Sequence, residues 1–231
     1  MKLDVPILSI DYSFAPEAPF PRALEEVFYA YCWALNNPEM LGSTGENIVF
    51  VGDSAGGNLA TACTIKCIEM GIRKPKGLLN IYAVFLANYV VAPSRFMGLM
   101  DVILAYTPYT RLFPAYNGYD KKVIVAENRK VPKSPIDETF KIPNDYLFSP
   151  HWTPKEIIKE FPPTVVLTTS LDTCLDEGVE FARKLKDAKV VYKLDVVEGL
   201  VHGFLHIAHL SQKCQNGSER CIEHLMELLN T

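Results

Sequence analysis

Gly52-Asp53-Ser54-Ala55-Gly56 sets a serine within a glycine-flanked turn, directly after the β-branched and aromatic run Asn47–Val51 and before a helical pattern reaching about Gly71. A hydroxyl in that setting can act as a nucleophile. A sharp strand-to-helix bend holds the side chain up and exposed, and Gly52, Gly56 and Gly57 are expected where the bend leaves no room for a larger side chain. The helix that follows turns its positive end toward negative charge forming on the attacked group, with the Ala55 N–H as a donor to an oxyanion. Alone, Gly-x-Ser-x-Gly is short enough to be an ordinary tight turn. The strand before it and the helix after it are the context the chemistry demands.

A serine hydroxyl needs a base, and the base needs a group to orient it. Every histidine (His151, His202, His206, His209 and His224) follows Ser54 in the chain. That excludes the chymotrypsin and subtilisin orders, which place a histidine before the serine, and leaves the order serine, acid, histidine. Asp172 directly follows the strand-like run Thr164–Leu171, where the acid of that order is expected. Asp176 and Glu177 are rivals, but they fall in a first helical turn and suit the helix dipole. His202, in Glu198-Gly199-Leu200-Val201-His202-Gly203-Phe204, follows the last strand, with Gly203 permitting a bend. Each has a plainer reading: Asp172 as a turn or capping aspartate, His202 as a solvent-exposed loop histidine.

His202, His206 and His209 also suggest a metal cluster, since an i, i+4 pair resembles one face of a zinc helix. No glutamate stands beside His202 as the zinc-protease pattern requires, so no metal is expected. The six cysteines lack the spacing of a disulfide framework and contain no Cys-x-x-Cys, and free thiols are the simpler reading.

These residues need a scaffold. Val5–Tyr12 reads as a buried strand, broken by the proline-rich stretch Ala15–Pro21. Ala23, Leu24, Val27, Phe28, Tyr31, Cys32 and Leu35 recur at helical spacing until Pro38 and Gly42. Leu78–Phe85 predicts a strand, and an aromatic-rich region at about 86–118 predicts a cap or lid, whose aromatic side chains suit an acyl pocket as well as plain packing. The stretch 119–150, charged and proline-containing, reads as a surface loop. A short helix at Pro154–Glu160, strand Thr164–Thr169, helix Gly178–Ala188, strand Val190–Val197 and a closing helical region complete a single α/β domain over 1–231.

A chain of 231 residues with 48% hydrophobic content can bury one substantial core, and a formal charge of −4 without a basic stripe argues against nucleic acid or anionic lipid headgroups as partners. The start of the sequence lacks the pattern of a signal peptide, and the longest apolar stretch, around Ile81–Ala92, falls short of the roughly 18 residues of a membrane span. A soluble protein is expected.

Four segments, in order, resemble the hormone-sensitive lipase family of α/β-hydrolases: Ser9–Glu26, Gly52–Asn58 at the elbow, Asp172–Glu177 and His202-Gly203-Phe204. The resemblance spans nearly all of the chain and is weakest between about Tyr119 and Pro150. It implies a mostly parallel sheet with helices on both faces, a triad of Ser54, Asp172 and His202, and no cofactor. It further implies a lipid ester substrate, acylglycerol or sterol ester, in the cytoplasm or at lipid droplets. The family's upstream His-Gly-Gly-Gly, which supplies most oxyanion donors, has no counterpart here, so N-terminal strands and the oxyanion loop are expected to be missing. The family's phosphorylated insertion near 119–150 is short here and its N-terminal regulatory region is absent. Three functional classes follow: an ester hydrolase, a non-catalytic ligand-binding or catalytically impaired chain, and a peptidase of the same fold.

Overall fold

The computed structural model describes residues 3–87, 92–99, 112–118 and 144–230. Four strands, β1 (Val49–Asp53), β2 (Gly77–Ile81), β3 (Thr164–Leu171) and β4 (Tyr192–Val201), form one sheet in that order, each neighbouring pair parallel. Parallel neighbours need crossovers. Helix α1 (Arg22–Asn36) precedes β1 and α2 (Ala55–Glu69) joins β1 to β2. Helix α3 (Lys155–Ile158) leads into β3, α4 (Leu175–Asp187) joins β3 to β4, and α5 (Gln212–Asn230) closes the chain.

The strand period of two sorts the core. Leu78 and Val166 face α2 and α4 and pack with Ala60, Ile65, Phe181 and Leu185, whereas Leu79, Ile81, Val165 and Leu167 pack with Cys214, Cys221 and Leu228 beneath α5. Helices therefore cover both faces, as a sheet with near-continuous apolar strands requires. Phe181 of α4 stacks on Phe85 with centroids 4.2 Å apart, fastening α4 to the segment after β2. Burial of a side chain that size stabilises by about 1.5–3 kcal/mol. Helix α1 packs behind α2, with Leu24 and Tyr31 against Leu59 and Cys63.

The structure corrects the reading of Val5–Tyr12 as a buried strand. Residues 3–14 carry no regular structure, and Ile7 and Leu8 are exposed. An apolar run becomes a strand only where a neighbouring ladder takes up its N–H and C=O groups, and Pro6 has no N–H to offer. Among the described residues β1 pairs with β2 alone, and its outer edge does not pair with this run. The segment is tied down at its end instead, where the Ser13 N–H and hydroxyl donate to Glu26 of α1 at 2.7 and 2.9 Å.

A second correction concerns the surface loop assigned to 119–150. Residues 119–143 lie outside the described residues, but Phe148 and Ser149 are fully buried. Phe148 stacks on Tyr116 and meets Phe20 edge-on, and its carbonyl accepts from Asn58 Nδ2 at 3.1 Å. Of the expected cap at 86–118, residues 88–91 and 100–111 lie outside the described residues. Smaller differences are shifts of element ends: β2 stops at Ile81, α4 begins at Leu175, and β4 runs on to Val201.

No disulfide joins any of the six cysteines. Among the described residues no helix is long and apolar enough to cross a membrane.

Candidate active site

β1 ends at Asp53, α2 begins at Ala55, and Ser54 between them has φ 50° and ψ −118°. A non-glycine residue held there costs on the order of 1–3 kcal/mol, so the surroundings must over-determine it. They do: the Ser54 N–H donates to Ile81 O at 3.0 Å, and the Ser54 carbonyl accepts from the N–H groups of Asn58 and Val84, each at 3.2 Å. Asn58, buried, adds side-chain bonds to Val84 O at 2.8 Å and to Phe148 O.

Close approach requires glycine at two of the three expected positions. A Cβ at Gly52 would lie 2.3 Å from Gly56 O, and one at Gly57 would lie 2.4 Å from Ala83 Cβ. Gly56 differs from the expectation: a Cβ there would meet only Asp53 Oδ1, at 3.9 Å. The turn crosses over Gly52 and buries Gly57, while Gly56 faces open space. The N–H groups of Ala55, Gly56 and Gly57 precede the first α2 bond, from the Asn58 N–H to Ser54 O, and so head the helix dipole.

Asp172 follows β3 and His202 follows β4, so parallel strands deliver both to the same carboxyl edge as Ser54. His202 Nε2 lies 2.8 Å from Ser54 Oγ, and His202 Nδ1 lies 3.0 and 2.9 Å from the two carboxylate oxygens of Asp172. Asp172 is fully buried and His202 nearly so. An ionised carboxylate only accepts, so Nδ1 carries the proton and Nε2 is left to accept from the serine hydroxyl. The Cys174 N–H donates to Asp172 Oδ1 at 2.7 Å and fixes that carboxylate. Gly203, at φ 72°, turns the chain after His202.

Neither rival acid reaches the imidazole. Asp176 Oδ2 accepts from the Ser94 N–H at 2.8 Å, and Glu177, buried rather than solvated in the first turn of α4, accepts from Arg95 at 2.7 Å. Burial pushes the Glu177 carboxyl up to about 7, against the opposing pull of Arg95. His206 is largely exposed and its Nε2 lies 3.6 Å from Asp53, away from any grouping with His202 and His209. The closest donor grouping among the described residues is Asp172, Cys174 and His202, whose ligand atoms fall within 4.8 Å of one another. There the imidazole and carboxylate already satisfy each other.

Sequence reasoning missed Tyr82. It follows β2 with φ 38°, is buried, sets its ring 4.8 Å from the His202 ring, and donates its hydroxyl to Asp53 Oδ2 at 3.2 Å. Burial, with Asp53 alongside, pushes that hydroxyl well above the usual tyrosine range. One side chain thus touches both the elbow and the imidazole. No local pattern marks it, because Asp53 and His202 meet it only through the sheet.

A parallel sheet whose carboxyl edge carries a strained serine on a strand-to-helix bend, backed by a histidine and an acid from later strands, is the architecture of the α/β hydrolases. Residues 1–206 match the family model of the alpha/beta hydrolase fold, and the chain belongs to that family. The chain is 50% identical over 117 residues to hormone-sensitive lipase of Mus musculus, a stretch covering 51% of this chain and 15% of the relative. Ethyl acetate hydrolase of Pseudomonas putida is 24% identical over 229 residues, covering 97% of this chain and 64% of that protein. Among solved structures, a fungal esterase from Rhizomucor miehei superposes with a TM-score of 0.79 at 25% identity, covering 94% of this chain and 62% of its own. The hyperthermophilic esterase of Pyrobaculum calidifontis superposes with a TM-score of 0.78 at 25% identity, covering 95% and 64%. The chain thus spans less than two thirds of the length of each of these relatives.

Proposed function

We propose that the chain is a serine carboxylic ester hydrolase with Ser54, His202 and Asp172 as its catalytic triad. The observation that carries this reading is the continuous path from Ser54 Oγ through His202 to Asp172, with every link at 3.0 Å or less. Ser54 Oγ attacks the ester carbonyl carbon as His202 Nε2 takes its proton, and the resulting imidazolium is stabilised by Asp172. Collapse breaks the bond to the leaving alcohol, which receives the proton from His202 and leaves an acyl group on Ser54. Water, deprotonated by the same imidazole, then releases the acid.

The Ala55 N–H is the oxyanion donor of the elbow, with Gly52, Asp53, Gly56 and Gly57 shaping the turn. Loss of one oxyanion donor costs on the order of 100- to 1,000-fold in turnover. Kinship to the mouse lipase supports acylglycerols or sterol esters as substrates, a cytoplasmic or lipid-droplet setting and a role in lipid catabolism. We read 86–118 as the cap that would supply an apolar acyl wall within a single catalytic domain.

A fluorophosphonate probe tests the central claim. The folded chain should be labelled at Ser54, and Ser54→Ala should abolish both labelling and p-nitrophenyl butyrate hydrolysis. A folded chain that stays unlabelled would overturn this reading and leave a ligand-binding chain with an unproductive site.

A further inference from the structure

We infer that the buried Arg95–Glu177 ion pair is a positioning device for the Asp172 carboxylate, clamping the turn 172–175 between the segment after β2 and the 3-10 segment Pro93–Leu99. The inference rests on the reading of Asp172 as the triad acid.

Glu177 and Arg95 are both shielded, with side chains 4% and 10% exposed. An ion pair at that depth is expensive to desolvate, and replacing it with apolar side chains is often neutral or stabilising. Its contacts point to placement. The Phe85 N–H donates to Glu177 Oε1 at 3.2 Å, and Arg95 Nη2 donates to Glu177 Oε2 at 2.7 Å and to Leu86 O at 2.9 Å. One residue before Arg95, the Ser94 hydroxyl donates to Thr173 O at 3.0 Å. The Ser94 N–H and Asp176 Oδ2 close the same seam at 2.8 Å. Within the turn, the Cys174 N–H holds Asp172 Oδ1 at 2.7 Å. Arg95 thus holds Glu177, the neighbouring Ser94 holds the Thr173 carbonyl, and the Cys174 N–H holds the carboxylate that meets His202.

The test compares Glu177→Gln and Arg95→Lys in the full chain. Glu177→Gln should slow fluorophosphonate labelling on the order of 10- to 100-fold, the effect of a small misplacement of a reacting group, without raising KM for p-nitrophenyl butyrate. It should also move the acidic limb of kcat/KM to lower pH, because a neutral amide then replaces the buried carboxylate behind Asp172. Arg95→Lys keeps the charge and loses the guanidinium fork, so labelling should slow without that displacement. In both variants proton NMR should show faster solvent exchange of the His202 Nδ1–H. If either folded variant keeps the wild-type labelling rate and the wild-type Nδ1–H exchange, the inference is overturned. If the folded wild type is not labelled at all, the proposed function fails, and Nδ1–H exchange still decides the positioning role. Should Glu177→Gln not fold, Arg95→Lys carries the decision.

Discussion

Among the described residues two buried carboxylate–imidazole pairs occur, and only one of them faces a serine hydroxyl. His202 meets Asp172 through Nδ1 and leaves Nε2 to Ser54. His224, on α5, meets Asp195 of β4 through Nε2 at 2.7 Å, and its Nδ1 lies 3.4 Å from Glu227. Asp195 is also gripped by both Arg220 Nε and Nη2. The two pairs share side-chain chemistry and depth of burial. They differ in what stands at the far nitrogen and in where the aspartate sits. Asp172 lies beyond the carboxyl end of β3, at the edge where loops converge, whereas Asp195 lies within β4 under a helix. An Asp–His pair is thus a structural cross-link when both imidazole nitrogens are occupied by carboxylates. It becomes a general base when one nitrogen is reserved for a hydroxyl.

The sharpest way to break this comparison is to disable each aspartate in turn. Asp172→Asn should lower the fluorophosphonate labelling rate by about 10,000-fold by favouring the wrong imidazole tautomer, with the melting temperature little changed. Asp195→Ala should leave the labelling rate per folded molecule at the wild-type value and cost about 3–5 kcal/mol in urea denaturation, since Arg220 and His224 lose their shared acceptor. Equal rate losses in the two variants would erase the distinction.

A third buried acid, Glu177, sharpens the contrast through pH. Burial, opposed by Arg95 and the Cys174 thiol and reinforced by Asp172, raises its folded carboxyl to about 7 from an ordinary 4.5. Between those values the unfolded chain ionises before the folded one does. The Glu177 contribution to stability is therefore fully present below about pH 4.5 and is lost as pH rises through about 7, on the order of 3 kcal/mol in all. Urea midpoints at pH 5 and pH 8 should show this slope in the wild type and its loss in Glu177→Gln.

The smallest effect separates two glycines of the elbow. Gly52→Ala forces a Cβ into the Gly56 backbone and should cost about 1–3 kcal/mol. Gly56→Ala, with open space and a helical position, should be neutral or stabilising by up to about 1 kcal/mol. Equal destabilisation by the two would contradict the crowding assigned to Gly52.

Much of the site was legible because it is local. A strand run, a glycine-bounded serine and a helix pattern lie within one stretch of chain, and steric exclusion at Gly52 is a short-range effect. The expected places of Asp172 and His202 followed from the ends of strand-like runs. Reasoning failed where a partner lay far off. Val5–Tyr12 has strand-like residues but pairs with no strand, Phe148 sits in a charged, proline-bearing stretch yet packs on Tyr116, and Arg95 finds Glu177 across 82 positions.

By itself the sequence determined the bend at Ser54, the chain order of serine, acid and histidine, and the helix and strand periods that make an α/β core, all consequences of backbone sterics and neighbouring residue types. Only the tertiary structure decided which Asp–His pair meets a hydroxyl, that Tyr82 lies between elbow and imidazole, and that Glu177 turns inward to Arg95. Those outcomes depend on contacts between distant segments, made when parallel strands bring their carboxyl ends to one edge.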